Sequence, residues 1–382
     1  MPQEFEQFTY SRIPGEKKEG ERPHGYAWIY DGHGAQYVGM GLELARAYPA
    51  INGMYQTGDR VVGFPLSKIC FSGPEVSLLQ TKFAQPGIVL TSEACTRVLL
   101  EDAYEEDERR FSNPPRLVAG ESLGMVNALH RAGAFGEWGS QEAFVGMMRF
   151  AAYRGAVFQR VAEQNPSSLF MVSGVKGCSQ EDYDEIIQEL QNRYSMKPAL
   201  IKAKNEYVVG GKVEVFPGMT EFLNDLPDHV RFQRIPTATG AFHTDEMREA
   251  VPYIKEYFEH FPLQDTSIPV LLNTGDDIRT TTNAKELEAD CVRGVTEVVQ
   301  GPEMVSHIER ENIAGHYIIG EKGLFARTLK NNSDISVLDK IKSKKGLIVA
   351  GGTALGVVSA VGIGIIVQRK RSDGGEDEEK TS

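Results

Sequence analysis

The stretch Leu117-Val118-Ala119-Gly120-Glu121-Ser122-Leu123-Gly124-Met125 limits what this chain can fold into more than any other. A short apolar run leads into Gly-x-Ser-x-Gly, and residues 126–129 continue as helix-compatible sequence. That order predicts a strand, a sharp turn and a helix, with the Ser122 hydroxyl lifted clear of a sheet edge as a nucleophile. Gly120 and Gly124 suit such a turn because a Cβ at either place would meet crowded backbone. The turn also aims the Leu123 N–H at the place where an oxyanion would form. Taken alone, the pattern fits a glycine-rich turn with a solvated serine as well, so the rest of the chain decides.

The chain has 382 residues, room for one large or two modest domains, and 41% apolar residues, enough for a real core. A net charge of −12 argues against nucleic acid as the partner, because phosphate binding needs a basic footprint. Cys70, Cys95, Cys178 and Cys291 are far apart and lack C-x-x-C spacing, which predicts reduced thiols and no metal site. Residues 1–24 are polar, carry Pro2, Pro14 and Pro23, and read as a loose N-terminal arm without a secretory apolar segment. Residues 346–367 carry no charge. At about 1.5 Å per residue a helix there spans roughly 33 Å, close to the hydrocarbon thickness of a bilayer. Lys344 and Lys345 precede it, and Arg369 and Arg371 follow. The expectation is a linker over 331–345, a single transmembrane helix over 346–367 and a charged tail over 368–382. A buried core helix is the other reading of that run.

Tyr26–Tyr30 reads as a buried strand, followed by the glycine-rich loop Asp31-Gly32-His33-Gly34-Ala35-Gln36 and a helical pattern over 38–48. The glycines are out of register for a dinucleotide loop. Pro86 suits the first turn of a helix over 87–100, and residues 101–110 read as a solvated connection. A long helix follows over 141–161, with Arg149, Arg154 and Arg160. Residues 166–235 then read β-α-β-β-α-β, a ferredoxin-like unit inserted into an α/β core made of 25–165 and 236–330. The core resumes at Ala241-Phe242-His243 and continues through a helix over 246–261, a strand over 268–272, helices over 285–294 and 302–311, and a last strand over 316–319.

Several separated motifs together resemble malonyl-CoA:acyl carrier protein transacylases, including the acyltransferase domains of fatty acid and polyketide synthases. The resemblance runs from about Tyr26 to Leu329. It rests on Gly32-His33-Gly34-Ala35-Gln36 with Gly39-Met40, on Gln85-Pro86, on Gly120–Met125, on Arg154-Gly155 with Gln159, and on Ala241-Phe242-His243. It implies a hydrolase-like parallel sheet with the ferredoxin-like insertion. It also implies a Ser122 acyl-enzyme, His243 as the base that activates Ser122 and then protonates the leaving thiolate, and an oxyanion hole from the Leu123 N–H and the N–H near His33. Arg154 would hold the free malonyl carboxylate with two parallel hydrogen bonds, with Arg149 as the alternative. Phe242 would exclude an α-methyl, Gln85 would contact substrate, Asn205 the pantetheine, and Asn273 would structure the histidine loop.

The resemblance further implies malonyl-CoA and a phosphopantetheinylated carrier protein as substrates, with no cofactor. A basic patch of Lys202, Lys204, Lys212, Arg231 and Arg234 would meet the carrier, with a solvated mixed-charge face as the other reading. CoA thioesters place the catalytic domain in the cytosol, anchored at the membrane by the C-terminal helix. The oligomeric state is open. Four positions depart from the family pattern: His33 for glutamine, Glu121 for histidine, Met125 for glutamate and Gly294 for glutamine. Glu121 is expected to face away from Ser122, and Gly294 to orient His243 through its carbonyl. Two alternatives share the same residues: a serine hydrolase or thioesterase using the Ser122 elbow, and a silent acyltransferase-like scaffold held at a membrane.

Overall fold

The computed structural model describes residues 10–14, 25–106, 114–174, 178–311, 313 and 315–320. The linker, transmembrane and tail segments expected over 331–382 lie outside the described residues. Among the described residues no helix is long and apolar enough to cross a membrane.

Two sheets organise the described chain. The first has the order β1-β11-β2-β3-β8-β9. Its centre is β11 (Gly315–Ile319), β2 (Tyr26–Tyr30), β3 (Leu117–Gly120) and β8 (Val270–Leu271), all parallel. β3 is buried along its whole length, as its uninterrupted Leu-Val-Ala-Gly run predicts for a strand covered on both faces. The edges are antiparallel: β9 (Thr280–Thr281) on β8, and β1 (Tyr10–Pro14) on β11. β1 lies within the segment that reads as a loose arm. It is held by five consecutive main-chain register pairs with β11, from Tyr10↔Ile319 to Pro14↔Gly315. Main-chain pairing at a sheet edge demands no apolar pattern, so the sequence does not announce it.

Helices α1 (Leu42–Ala47), α2 (Pro49–Val62), α3 (Leu66–Ser72) and α4 (Glu75–Leu78) follow β2. α5 (Thr81–Glu106) comes next, then α6 (Gly124–Ala132) directly after the elbow, and α7 (Gln141–Gln164). α5 is longer at both ends than the sequence suggests, and Pro86 lies in its interior. The reason is tertiary: the Gln159 side chain, from α7, accepts the Thr81 N–H at 2.7 Å and starts the helix a turn early.

The inserted unit is β4 (Ser167–Gly174), α8 (Gln180–Tyr194), β5 (Lys197–Ala203), β6 (Glu206–Lys212), a 3₁₀ turn (Val213–Met219), α9 (Thr220–Asp225) and β7 (Val230–Arg234). Its antiparallel order β5-β6-β4-β7 is that of a ferredoxin-like sheet. It buries its own cluster, including Phe170, Val172, Tyr183, Leu190 and Phe222. The chain then returns through α10 (Val251–His260), α11 (Ala284–Arg293), β10 (Val299–Gln300) and α12 (Gly301–Arg310). β10 pairs in parallel with β5 while Val299 stays in the main core and bridges Thr274, so the second sheet reads β10-β5-β6-β4-β7.

Candidate active site

The elbow forms as its glycines require. A Cβ on Gly120 would lie 2.0 Å from the Gly124 carbonyl carbon, and one on Gly124 would lie 2.2 Å from the Tyr30 carbonyl oxygen. Ser122 takes φ 55°, in the left-handed region that side chains rarely adopt. His243, on the loop that leaves the inserted unit, takes φ 64°. Their side chains meet, with Ser122 Oγ 2.6 Å from His243 Nε2. Both residues are therefore strained, and the surrounding structure holds them there.

Asn273 holds the serine. Its Oδ1 accepts the Ser122 N–H at 2.9 Å, and its Nδ2 donates to Asp290 at 3.1 Å. The Asp290 carboxylate also accepts the main-chain N–H groups of Asn273 and Thr274 and the Thr274 hydroxyl. Asn273 thus structures the serine elbow, not the histidine loop expected from sequence. Asp290 escaped the sequence reading because it belongs to no motif: an acid on an amphipathic helix ordinarily faces water, and here it is 1% exposed.

The histidine loop is anchored separately. The His243 N–H donates to the Val295 carbonyl at 3.2 Å, the Ala241 N–H to the Ser167 hydroxyl at 2.9 Å, and the Thr244 hydroxyl to the Ala241 carbonyl at 2.6 Å. Burial, followed by the positive charge of Arg154, pushes the His243 ring down to about 3. The Gly294 main chain acts in the other direction and favours the charged ring, although Nδ1 makes no hydrogen bond of good geometry. His243 is therefore neutral at pH 7, with Nε2 facing the serine as an acceptor.

Arg154 lines the same pocket, with Ser122, Met125, Phe150, His243 and Cys291. It is 9% exposed, and its guanidinium carbon sits 4.2 Å from the centre of the Phe158 ring. Burial lowers its pKa to about 10, so it stays charged at pH 7. Among the described residues no carboxylate pairs with it. A buried cation without a counter-charge is costly to keep unless a ligand supplies one. Arg149 is exposed and borders a different surface hollow.

The pocket itself has a volume of about 20 Å³, room for little more than one water. A wider groove of about 690 Å³ opens onto His243 between the inserted unit and the core, bordered by Gln191, Lys197, Asp245, Glu297 and Gln300. Gly32 packs against the elbow so closely that a Cβ would lie 2.4 Å from the Glu121 carbonyl oxygen. Among the described residues neither the Leu123 N–H nor the His33 N–H donates to another protein group. The His33 ring is fixed by Nε2, 2.7 Å from the Thr237 carbonyl, and lies edge-on to Phe242 at 5.4 Å. Burial, with a smaller push from Arg154, lowers its pKa to about 4, so it too is neutral.

Phe242 is buried between His33 and Phe158. Gln85 lies 1% exposed inside α5 with both amide atoms unpaired among the described residues. Asn205 lies elsewhere: in the β5–β6 turn it donates to the Gly174 carbonyl at 3.2 Å, outside the residues that line the Ser122 pocket. Glu121 faces away from Ser122, as expected, and is ion-paired with Lys202 at 3.0 Å. That pairing removes Lys202 from the expected surface patch. The other four basic residues divide between the two ends of the inserted sheet. Lys204 and Arg231 are near Gly174, while Lys212 pairs with Ser167 and Arg234 with Phe170.

No family model matches the chain. It is similar to the malonyl CoA-acyl carrier protein transacylase of Bacillus subtilis, 23% identical over 319 residues that cover 82% of this chain and 93% of that one. Among solved structures it resembles a malonyl-transacylase in complex with a type II polyketide acyl-carrier protein. That match has a TM-score of 0.68 and 22% identity, and covers 81% of this chain and 94% of the other. The malonyl transacylase structure from Streptococcus pneumoniae gives a TM-score of 0.66 and 24% identity, with 83% and 99% covered. The fold is that of these transacylases.

Proposed function

We propose that this chain transfers a malonyl group from malonyl-CoA to the phosphopantetheine thiol of an acyl carrier protein, through an ester on Ser122. The observation that carries this reading is a neutral Ser122–His243 pair at 2.6 Å sharing its pocket with a buried Arg154 that no carboxylate pairs among the described residues. A simple serine hydrolase has no use for that cation, whereas a malonyl group brings the missing carboxylate.

His243 Nε2 accepts the Ser122 proton as Oγ attacks the thioester carbonyl. In this reading the Leu123 and His33 N–H groups, which donate to no other protein group among the described residues, receive the oxyanion. The C–S bond breaks, and the imidazolium returns its proton to the CoA thiolate. In the second half the pantetheine thiol gives its proton to His243 and attacks the ester carbonyl, and Ser122 leaves with the proton that His243 returns. Arg154 holds the malonyl carboxylate throughout, and the groove beside His243 admits each thioester arm in turn. Both substrates carry their own thiol chemistry, so no cofactor is required.

Residues 346–367 anchor this catalytic unit to a membrane in the same reading, with the unit on the cytosolic side where CoA thioesters are held. The support is the uncharged run between flanking lysines and arginines. Full-length protein that stays soluble without detergent, or a catalytic unit digested by protease added to intact cells, would remove the anchor.

Labelled malonyl-CoA tests the reaction. The expected outcome is a stable ester on Ser122 that moves to carrier protein when it is added, and none in Ser122→Ala. Release of free malonate at the transfer rate would make the protein a thioesterase, and an unlabelled wild type would make it a scaffold.

A further inference from the structure

Strand β5 of the inserted unit runs past the catalytic pair and is tied to it at both ends. At its far end Lys202 Nζ donates to both Glu121 carboxylate oxygens, at 3.0 and 3.3 Å, and Glu121 is the residue before Ser122. At its start Lys197 is ion-paired with Asp245, two residues after His243. Between them Leu200 and Ile201 pair with Val299 and Gln300 of β10. The Gln300 N–H in turn donates to the carbonyl of Asn273, the residue that holds the Ser122 N–H.

The two ionic ties differ in kind. The Lys197 and Asp245 side chains are 56% and 41% exposed, so water screens their attraction. Those of Lys202 and Glu121 are 14% and 7% exposed, so water screens their attraction little and parting them is costly. The Glu121 main chain is held as well, since its carbonyl accepts the Gly124 N–H at 3.1 Å and abuts Gly32. The residue is thus fixed by the elbow on its backbone side and by the inserted unit on its side-chain side.

Resting on the acyl-transfer reading above, we infer that Lys202 is a positioning residue that acts through Glu121 to hold Ser122 Oγ and the Leu123 N–H in place against His243. The inserted unit is then part of the catalytic frame as well as a wall of the groove. Without the Lys202 ammonium, the Glu121 carboxylate loses both hydrogen bonds from the inserted unit, and the elbow loses that tie. A displacement of about 1 Å is enough to cost on the order of 100-fold in rate.

The test compares full-length Lys202→Met, Lys202→Arg, Glu121→Gln, Lys197→Ala and the double variant Glu121→Gln/Lys202→Met. The first readout is the rate at which a fluorophosphonate labels Ser122, which needs the serine–histidine pair but no malonyl chemistry. The second is kcat and KM for malonyl transfer, and the third is Tm. Lys202→Met is expected to lower labelling and kcat together by about 10- to 100-fold with KM little changed. The arginine variant recovers part of the loss, the neutral double variant most of it, and Lys197→Ala loses less than Lys202→Met. If Lys202→Met does not fold, Glu121→Gln carries the test and must slow labelling more than Lys197→Ala does. Wild-type labelling in Lys202→Met or Glu121→Gln, or a double variant no better than Lys202→Met, overturns the inference. Wild-type protein that labels but transfers no malonyl removes the acyl-transfer reading and leaves the positioning of Ser122 to be judged by labelling alone.

Discussion

Among the described residues Arg154 is a buried charge that no carboxylate pairs, and its removal has a signature that a structural role does not share. Leaving a substrate carboxylate unpaired in such a pocket costs about 2–5 kcal/mol. At ~1.4 kcal/mol per factor of ten, that is roughly 30- to 3,000-fold in kcat/KM for malonyl-CoA. Acetyl-CoA has no carboxylate, so Arg154→Ala should invert the preference between the two thioesters, and Arg154→Lys should recover only part of the loss. Equal losses for both thioesters would assign Arg154 to the fold. The same arginine depresses His243, which is already lowered by burial to about 3. The free enzyme therefore has its base neutral across pH 5.5–7, and kcat/KM should be nearly flat there. A bound malonyl carboxylate offsets the Arg154 charge and raises His243 in the complex. The acid limb of kcat should then lie at higher pH than that of kcat/KM; coincident limbs would show that Arg154 and the substrate carboxylate do not meet beside His243.

At the scale of elements, the elbow is held by groups from two other parts of the chain. Ser122 at φ 55° pays a local strain of about 1–3 kcal/mol. Asn273, at the end of β8, opposes that strain through the Ser122 N–H, and Asp290 on α11 holds Asn273. Asn273→Ala should slow Ser122 labelling by about 10- to 100-fold with only a modest fall in Tm. Asp290→Ala leaves five donors without their acceptor, Arg293 among them, and should cost about 3 kcal/mol or more in a urea melt, besides slowing labelling. Normal labelling in a folded Asn273→Ala protein would show that the Gly120–Gly124 packing alone sets the elbow.

At the scale of the whole molecule, burial lowers His33 and His316 to about 4 and His243 to about 3, the deepest shifts among the described histidines. The unfolded chain binds a proton at each near pH 6.5, and the folded chain does not. Their contribution to stability is therefore complete above pH 6.5 and is lost as pH falls toward 4 and 3. Integrated from pH 7 to pH 5, the three together cost on the order of 5–6 kcal/mol. Urea melts at the two pH values measure this, and His316→Gln should flatten the slope without touching the rate of labelling. Equal stability at pH 7 and 5 would mean that these rings are hydrated in solution.

The Ser122 turn and the β-α-β-β-α-β succession of the inserted unit were legible in the residues themselves, whereas His243 and Arg154 stood out only through the resemblance to the transacylases. The first two rest on local chemistry: glycines that a tight turn demands, and a run of apolar residues that a doubly covered strand demands. The elbow glycines are the clearest case, because their neighbours in space are also their neighbours in sequence. Other features were settled only by folding. Gln159 starts α5 from 78 residues away, and β1 joins the sheet by main-chain pairing alone. Asp290 becomes the support of Ser122 through Asn273, and Lys202 turns from the expected surface patch to Glu121. In all four the partner lies far along the chain. A polar side chain reads the same in sequence whether it will face water or a buried partner, so only the tertiary structure could assign them.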